Sequence, residues 1–199
     1  HDISELQSLV ESNRVDGMLL TRALEDDRAL QYLSQANFPT ALTGTCRYDN
    51  IIQVDTDNEG AAEKMTTLLI GKGFRRFAFL VKDMSYNVDR KRHEGFCRAL
   101  IKNGISEKDQ LFYNGSIRME FLDAIIENII SKKVECIICG DDEICTMVMS
   151  RLQAEGYRIP KDVAIASLYN STNLDCYSPA VTAVSVAASQ MGGTAVRQL

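Results

Sequence analysis

The sequence predicts an α/β protein built on parallel sheets. Three observations carry that expectation. Residues 77–81 and 136–139 are unbroken apolar runs, as strands covered on both faces of a parallel sheet should be. Amphipathic stretches of helical period lie between such runs. Gly73, Gly104 and Gly156 then stand between a helix and the next strand, where a left-handed residue ends a helix. Strands alternating with helices in this way imply right-handed crossovers.

The elements follow in order. Ile3, Leu6, Leu9 and Val10 mark a first helix ending near Asn13. Residues 15–20 read as a strand, and residues 21–27 as its loop. A helix over residues 27–36 stops at the breakers Asn37 and Pro39. Residues 40–43 and 51–54 are two more short strands, with a loop at 44–47. Thr56, Asp57 and Asn58 are capping types, and Thr56 with Glu59 has capping-box spacing. Ala62, Met65, Leu69 and Ile70 give the next helix one buried face. Strand 77–81 ends in a polar loop at 82–89, the place where open α/β sheets hold their ligands.

Beyond Arg92, the residues Phe96, Ala99, Leu100 and Asn103 continue a helix to Gly104. Residues 111–113 form a strand, and Phe121, Leu122, Ile125, Ile126, Ile129 and Ile130 an amphipathic helix. Strand 136–139, helix 144–155, strand 163–168 and an extended piece at 181–184 complete the alternation before a closing helix from Ala188.

With 199 residues the chain can bury one large core or two small ones. It is 45% hydrophobic and 25% charged, with a net charge of −5 and no long Lys/Arg cluster, so it has no nucleic-acid footprint of its own. No apolar run reaches the length of a membrane span and no signal-peptide pattern opens the chain. The chain starts inside a helix pattern, so its natural N-terminus is expected upstream. Of the six cysteines, Cys136 and Cys139 have CxxC spacing, but strand residues three apart point to opposite faces and cannot grip one metal. Small buried residues in a reducing cytoplasm are the better reading.

Arg92 is the leading candidate for ligand contact, because a guanidinium presents a rigid fork of donors to hydroxyls, carboxylates or phosphates. The competing reading is a surface ion pair with Asp89 or Glu94. Asp141 follows a buried strand and opens a helix, a place for capping or for accepting hydrogen bonds from a ligand. Tyr86 and Tyr169 lie just past strand ends, where a ring can stack on a ligand or cover the sheet edge. His93 stands alone in the sequence, and with no triad, phosphate loop or metal cluster, neither an enzyme nor a cofactor is expected.

An ordered set of motifs spans nearly the whole chain. It comprises Val15-Asp-Gly-Met-Leu-Leu, Val54-x-x-Asp57-Asn58 with Ala61-Ala62, Leu69-Ile70-x-x-Gly73, Arg75-Arg76-Phe77-Ala78-Phe79-Leu80, Arg92-x-x-Gly95-Phe96-x-x-Ala99-Leu100, Asp142-Glu143-Ile144, Gly156-x-x-Ile159-Pro160-x-Asp162-Val163, and Pro179-Ala180-Val181-Thr182. This set resembles the effector-binding domain of the LacI/GalR transcription regulators, which are related to the periplasmic sugar-binding proteins. The resemblance implies two Rossmann-like subdomains of the periplasmic binding protein type I, joined by three crossing segments, with the effector cleft between them. The first is expected at residues 1–72 plus 184–199 and the second at 73–183. Arg92 matches the family's cleft arginine, Asp141 a ligand-facing position that is often Asn, and Tyr86 lies on the loop lining the same cleft. Tyr169 replaces the Asp of the family's Gly-Phe-Asp, and Gly44 and Thr45 stand where its sugar binders often place a charged pair, so a phosphorylated, acidic or aromatic effector, or a regulatory protein partner, fits as well as a neutral sugar. The implied function is a cytoplasmic, ligand-responsive regulator acting as a homodimer, with operator DNA held by a helix-turn-helix domain absent from this chain. An extracytoplasmic solute-binding protein of a transporter is the alternative.

Overall fold

The apolar runs become strands of two wholly parallel sheets in the computed structural model, which describes residues 2–115 and 119–199. Contacts group the chain into two units, one of His1–Thr56, Ser85–Val88 and Ala187–Leu199, the other of Asp57–Met84 and Asp89–Val186.

In the first unit, α1 (Ser4–Glu11) precedes β1 (Met18–Leu20), α2 (Arg28–Gln35), β2 (Thr40–Thr43) and β3 (Ile52–Val54), and the sheet order is β1-β2-β3. Asp27 caps α2, its carboxylate accepting from the N–H of Ala29 at 2.9 Å and of Leu30 at 3.1 Å. That start places Leu30 in a small core with Ala23, Leu42 and Ile51. The closing helix of the chain, Ala188–Gln198, packs on β2 and β3.

The second unit holds α3 (Asn58–Gly71), β4 (Phe77–Leu80), α4 (Asn87–Lys102, its first residues in the other unit), β5 (Leu111–Tyr113), α5 (Met119–Ser131), β6 (Cys136–Cys139), α6 (Asp142–Ala154), β7 (Ala164–Ser167), α7 (Thr172–Asp175) and β8 (Thr182–Ala183). Its strand order is β5-β4-β6-β7-β8. Both faces of this sheet are covered, which is why its strands are continuous apolar runs. Ala78, Leu80, Ile137 and Cys139 point to a core with Leu122 and Ile126 of α5 and Val148 and Leu152 of α6. Phe77, Phe79, Cys136 and Ile138 point the other way, to Met65 and Leu69 of α3 and Phe96 and Leu100 of α4. Cys136 and Cys139 therefore sit on opposite faces, as their spacing requires.

Three details differ from the sequence expectation. Asp57, not Thr56, is the N-cap of α3, its carboxylate accepting from the Gly60 N–H at 2.8 Å. Helix α3 groups with the second unit rather than the first, because its apolar face covers Phe77 and Phe79. Helix α4 begins at Asn87, which shortens the expected loop and sets Arg92 on the second turn.

Candidate functional site

From β4 the chain crosses to β5 on one side, and the next strand, β6, adds on the other side of β4. The direction of winding thus reverses between β4 and β6. Crevices outside the carboxyl ends of strands at such a reversal are where open α/β sheets bind ligands.

Two strand ends meet there closely. The Gly140 N–H donates to the Leu80 carbonyl at 2.7 Å, and a Cβ at Gly140 would meet Val81 Cγ1 at 3.0 Å and Leu80 O at 3.1 Å. Glycine is what permits this approach. From α4, an Arg92 guanidinium nitrogen donates to the Gly140 carbonyl at 2.7 Å. Arg92 is only 8% exposed, so a pairing with Asp89 would be a buried one rather than a surface one. Asp89, one turn earlier, is equally buried and accepts from the Asp83 N–H at 3.1 Å.

Asp141 serves two partners. One carboxylate oxygen caps α6 by accepting from the Ile144 N–H at 2.9 Å, and the other pairs with the Lys82 ammonium at 2.9 Å. Lys82 also pairs with Glu143. The capping role read from the sequence is therefore real, and it orients the carboxylate at the end of β6.

Burial pulls the Lys82 ammonium down, but its bonds to Glu143 and Asp141 outweigh this and leave its pKa raised. Burial raises the Asp89 carboxyl, against the Asp83 N–H and the Arg92 charge, which lower it. Two cations stand among three carboxylates, so the cluster carries no surplus positive charge. Hydroxyl groups, which donate and accept at once, match such a mixture better than a phosphate does.

Tyr169 follows β7, its carbonyl accepting from the Ser167 hydroxyl at 2.7 Å. Tyr86 belongs to the first unit, where it bridges to Leu24 and lies under the Arg22 guanidinium, 5.9 Å from ring centroid to Cζ. Arg92 and Asp141 thus converge within the second unit, while Tyr86 sits in the other. Sequence reasoning missed Lys82 and Gly140, and named Asp89 only as an ion-pair partner of Arg92. Lys82, two residues past β4, was open to the same strand-end rule, whereas the burial of Asp89 has no sequence signal.

A cavity of about 860 Å³ lies elsewhere on the second unit, at the amino ends of the same strands, among Lys72, Arg76, Lys133, Tyr157 and Lys161. It is open and far from the strand ends where Arg92 and Asp141 meet, so it does not define this site. One expectation is corrected: His93 is not isolated, since Cys97 and Glu107 stand beside it. His93 and Cys97 are four apart on α4, a spacing visible in the sequence, but Glu107 comes from beyond the helix.

A doubly wound unit with a charged cluster at its switch point is the arrangement in which open α/β proteins place their ligands. Residues 66–199 match the family described as periplasmic binding protein-like domain. The chain belongs to that family, and within it to the LacI/GalR effector-binding domains. Its fold superposes with a TM-score of 0.89 on a Bacillus cereus subsp. cytotoxis structure described as the transcriptional regulator LacI, at 31% identity over 98% of this chain and 70% of that one. A complex of the transcriptional regulator CelR with cellobiose gives 0.86 at 26% identity, covering 98% of this chain and 61% of the other. Catabolite control protein A of Staphylococcus xylosus is 25% identical over 94% of this chain, which spans 57% of that protein's length. These relatives carry the names of regulators. No helix among the described residues is long and apolar enough to cross a membrane.

Proposed function

We propose that the chain is the effector-binding part of a ligand-responsive transcription regulator and that its effector is a small neutral carbohydrate. The observation that carries this reading is the buried Arg92, held against the Gly140 carbonyl at the switch point and flanked by Lys82 and Asp141. Arg92 anchors the effector, Asp141 accepts from its hydroxyls, and Tyr169 contributes aromatic surface. The balance of charge favours an uncharged polyol over the phosphorylated or acidic effector that Tyr169 had left open, and the CelR–cellobiose complex points the same way. Effector binding would shift the population between arrangements of a cytoplasmic homodimer, and so the spacing of DNA-binding heads carried outside this chain. The transporter-receptor alternative loses ground because the relatives are regulators.

Thermal unfolding against a panel of neutral mono- and disaccharides, cellobiose included, and their phosphates tests this. A ligand at a hundredfold excess over its Kd adds about 2.7 kcal/mol, roughly 5–10 °C in Tm for a chain of this size. Neutral sugars should raise the midpoint more than their phosphates do. A shift confined to the phosphates, or no shift with any sugar, would contradict the proposal.

A further inference from the structure

We infer that His93, Cys97 and Glu107 form a binding site for a borderline-soft divalent cation such as Zn²⁺, distinct from the cluster around Arg92. His93 and Cys97 project from successive turns of α4. Glu107 comes from the short 3-10 turn Glu107–Asp109 that follows the helix. One ligand atom from each lies within 4.8 Å of the others.

The spacings suit one ion. Tetrahedral Zn²⁺, with Zn–S of about 2.3 Å and Zn–N of about 2.0–2.1 Å, sets sulfur and nitrogen about 3.5 Å apart. Cys97 Sγ lies 3.5 Å from His93 Nε2 and 3.8 Å from Nδ1, and 3.1 Å from Glu107 Oε1, to which the thiol now donates. Phe112 and Phe79, with ring centroids 4.3 Å and 5.8 Å from that of His93, cover the imidazole. Sulfur, imidazole and carboxylate together select Zn²⁺ or Co²⁺ over Mg²⁺ or Ca²⁺. On binding, the thiol proton leaves to solvent, thiolate and carboxylate balance the dication, and water takes the fourth position on the exposed Glu107 side. The ion would tie α4 to the turn after it, and α4 is the helix that carries Arg92.

The purified chain, stripped of metal, is titrated with Co²⁺ and followed by absorbance, then challenged with Zn²⁺. A thiolate-to-cobalt charge-transfer band should appear at one equivalent and be displaced by Zn²⁺. Cys97→Ser should abolish the band, and Glu107→Gln, altering only an exposed carboxylate, should weaken Co²⁺ binding at least tenfold. Zn²⁺ should raise the unfolding midpoint of the wild type and leave that of Cys97→Ser unchanged. Absence of the band, or its persistence in Cys97→Ser through Cys46 or Cys176, would overturn the site. Sugar binding is scored separately on the metal-free chain.

Discussion

Asp89 is buried next to Arg92, and its carboxyl titrates above the ordinary value of 3.8. Between 3.8 and that higher value the native chain holds a proton that the unfolded chain releases. Its contribution to stability is fully present below 3.8 and declines as pH rises through the higher folded value. Asp89→Asn removes that decline while an amide oxygen can still accept from the Asp83 N–H. Denaturant unfolding followed upward from pH 3.8 should show the variant gaining on the wild type as pH rises, and a constant difference would contradict the assignment. At this scale the sequence was informative where chemistry is local. Arg92 and Asp141 follow from residue type and position past a strand. Asp89 and Lys82 depend on what the fold buries and pairs, and the His93–Cys97–Glu107 grouping depends on a turn returning to its helix.

Helices α3 and α4 pack too closely for a side chain at Gly95, where a methyl would run into the Glu59 carbonyl and touch Ala62. Arg98 bridging Glu59 and Glu63, with Lys102 on Glu63 at 2.5 Å, ties the outer edge of the same pair. Overpacking of this kind costs about 1–3 kcal/mol, so Gly95→Ala should lower the urea midpoint accordingly, and an unchanged midpoint would mean the helices separate freely. The N-caps make a gentler test. Asp27→Ala should cost about 1 kcal/mol in the first unit, measured by the same unfolding, since the backbone N–H groups of Leu24, Ala29 and Leu30 lose their acceptor. Strands and helices were legible because period and burial agree, as in β4 and β6, whose residues are all buried. Their ends were less so. Asp57 and Thr56 are both capping types, and only the backbone path decides between them.

For the molecule as a whole, the parallel α/β architecture was visible in the alternation of runs and helices, and the side on which α3 groups was not. A helix with one apolar face announces that it is covered but not by which sheet, and α3 turned out to cover β4. The order β5-β4-β6-β7-β8 is equally silent in the sequence, yet it creates the switch point at which Arg92, Gly140 and Asp141 meet. The central claim is that this cluster binds a neutral sugar through Arg92. Titration calorimetry of the wild type and Arg92→Ala, with the sugar that most raises the unfolding midpoint, tests it most directly. The Kd should be at least tenfold weaker in the variant, about 1.4 kcal/mol or more, with Arg92→Lys between the two. Equal affinity in a folded Arg92→Ala protein would contradict it.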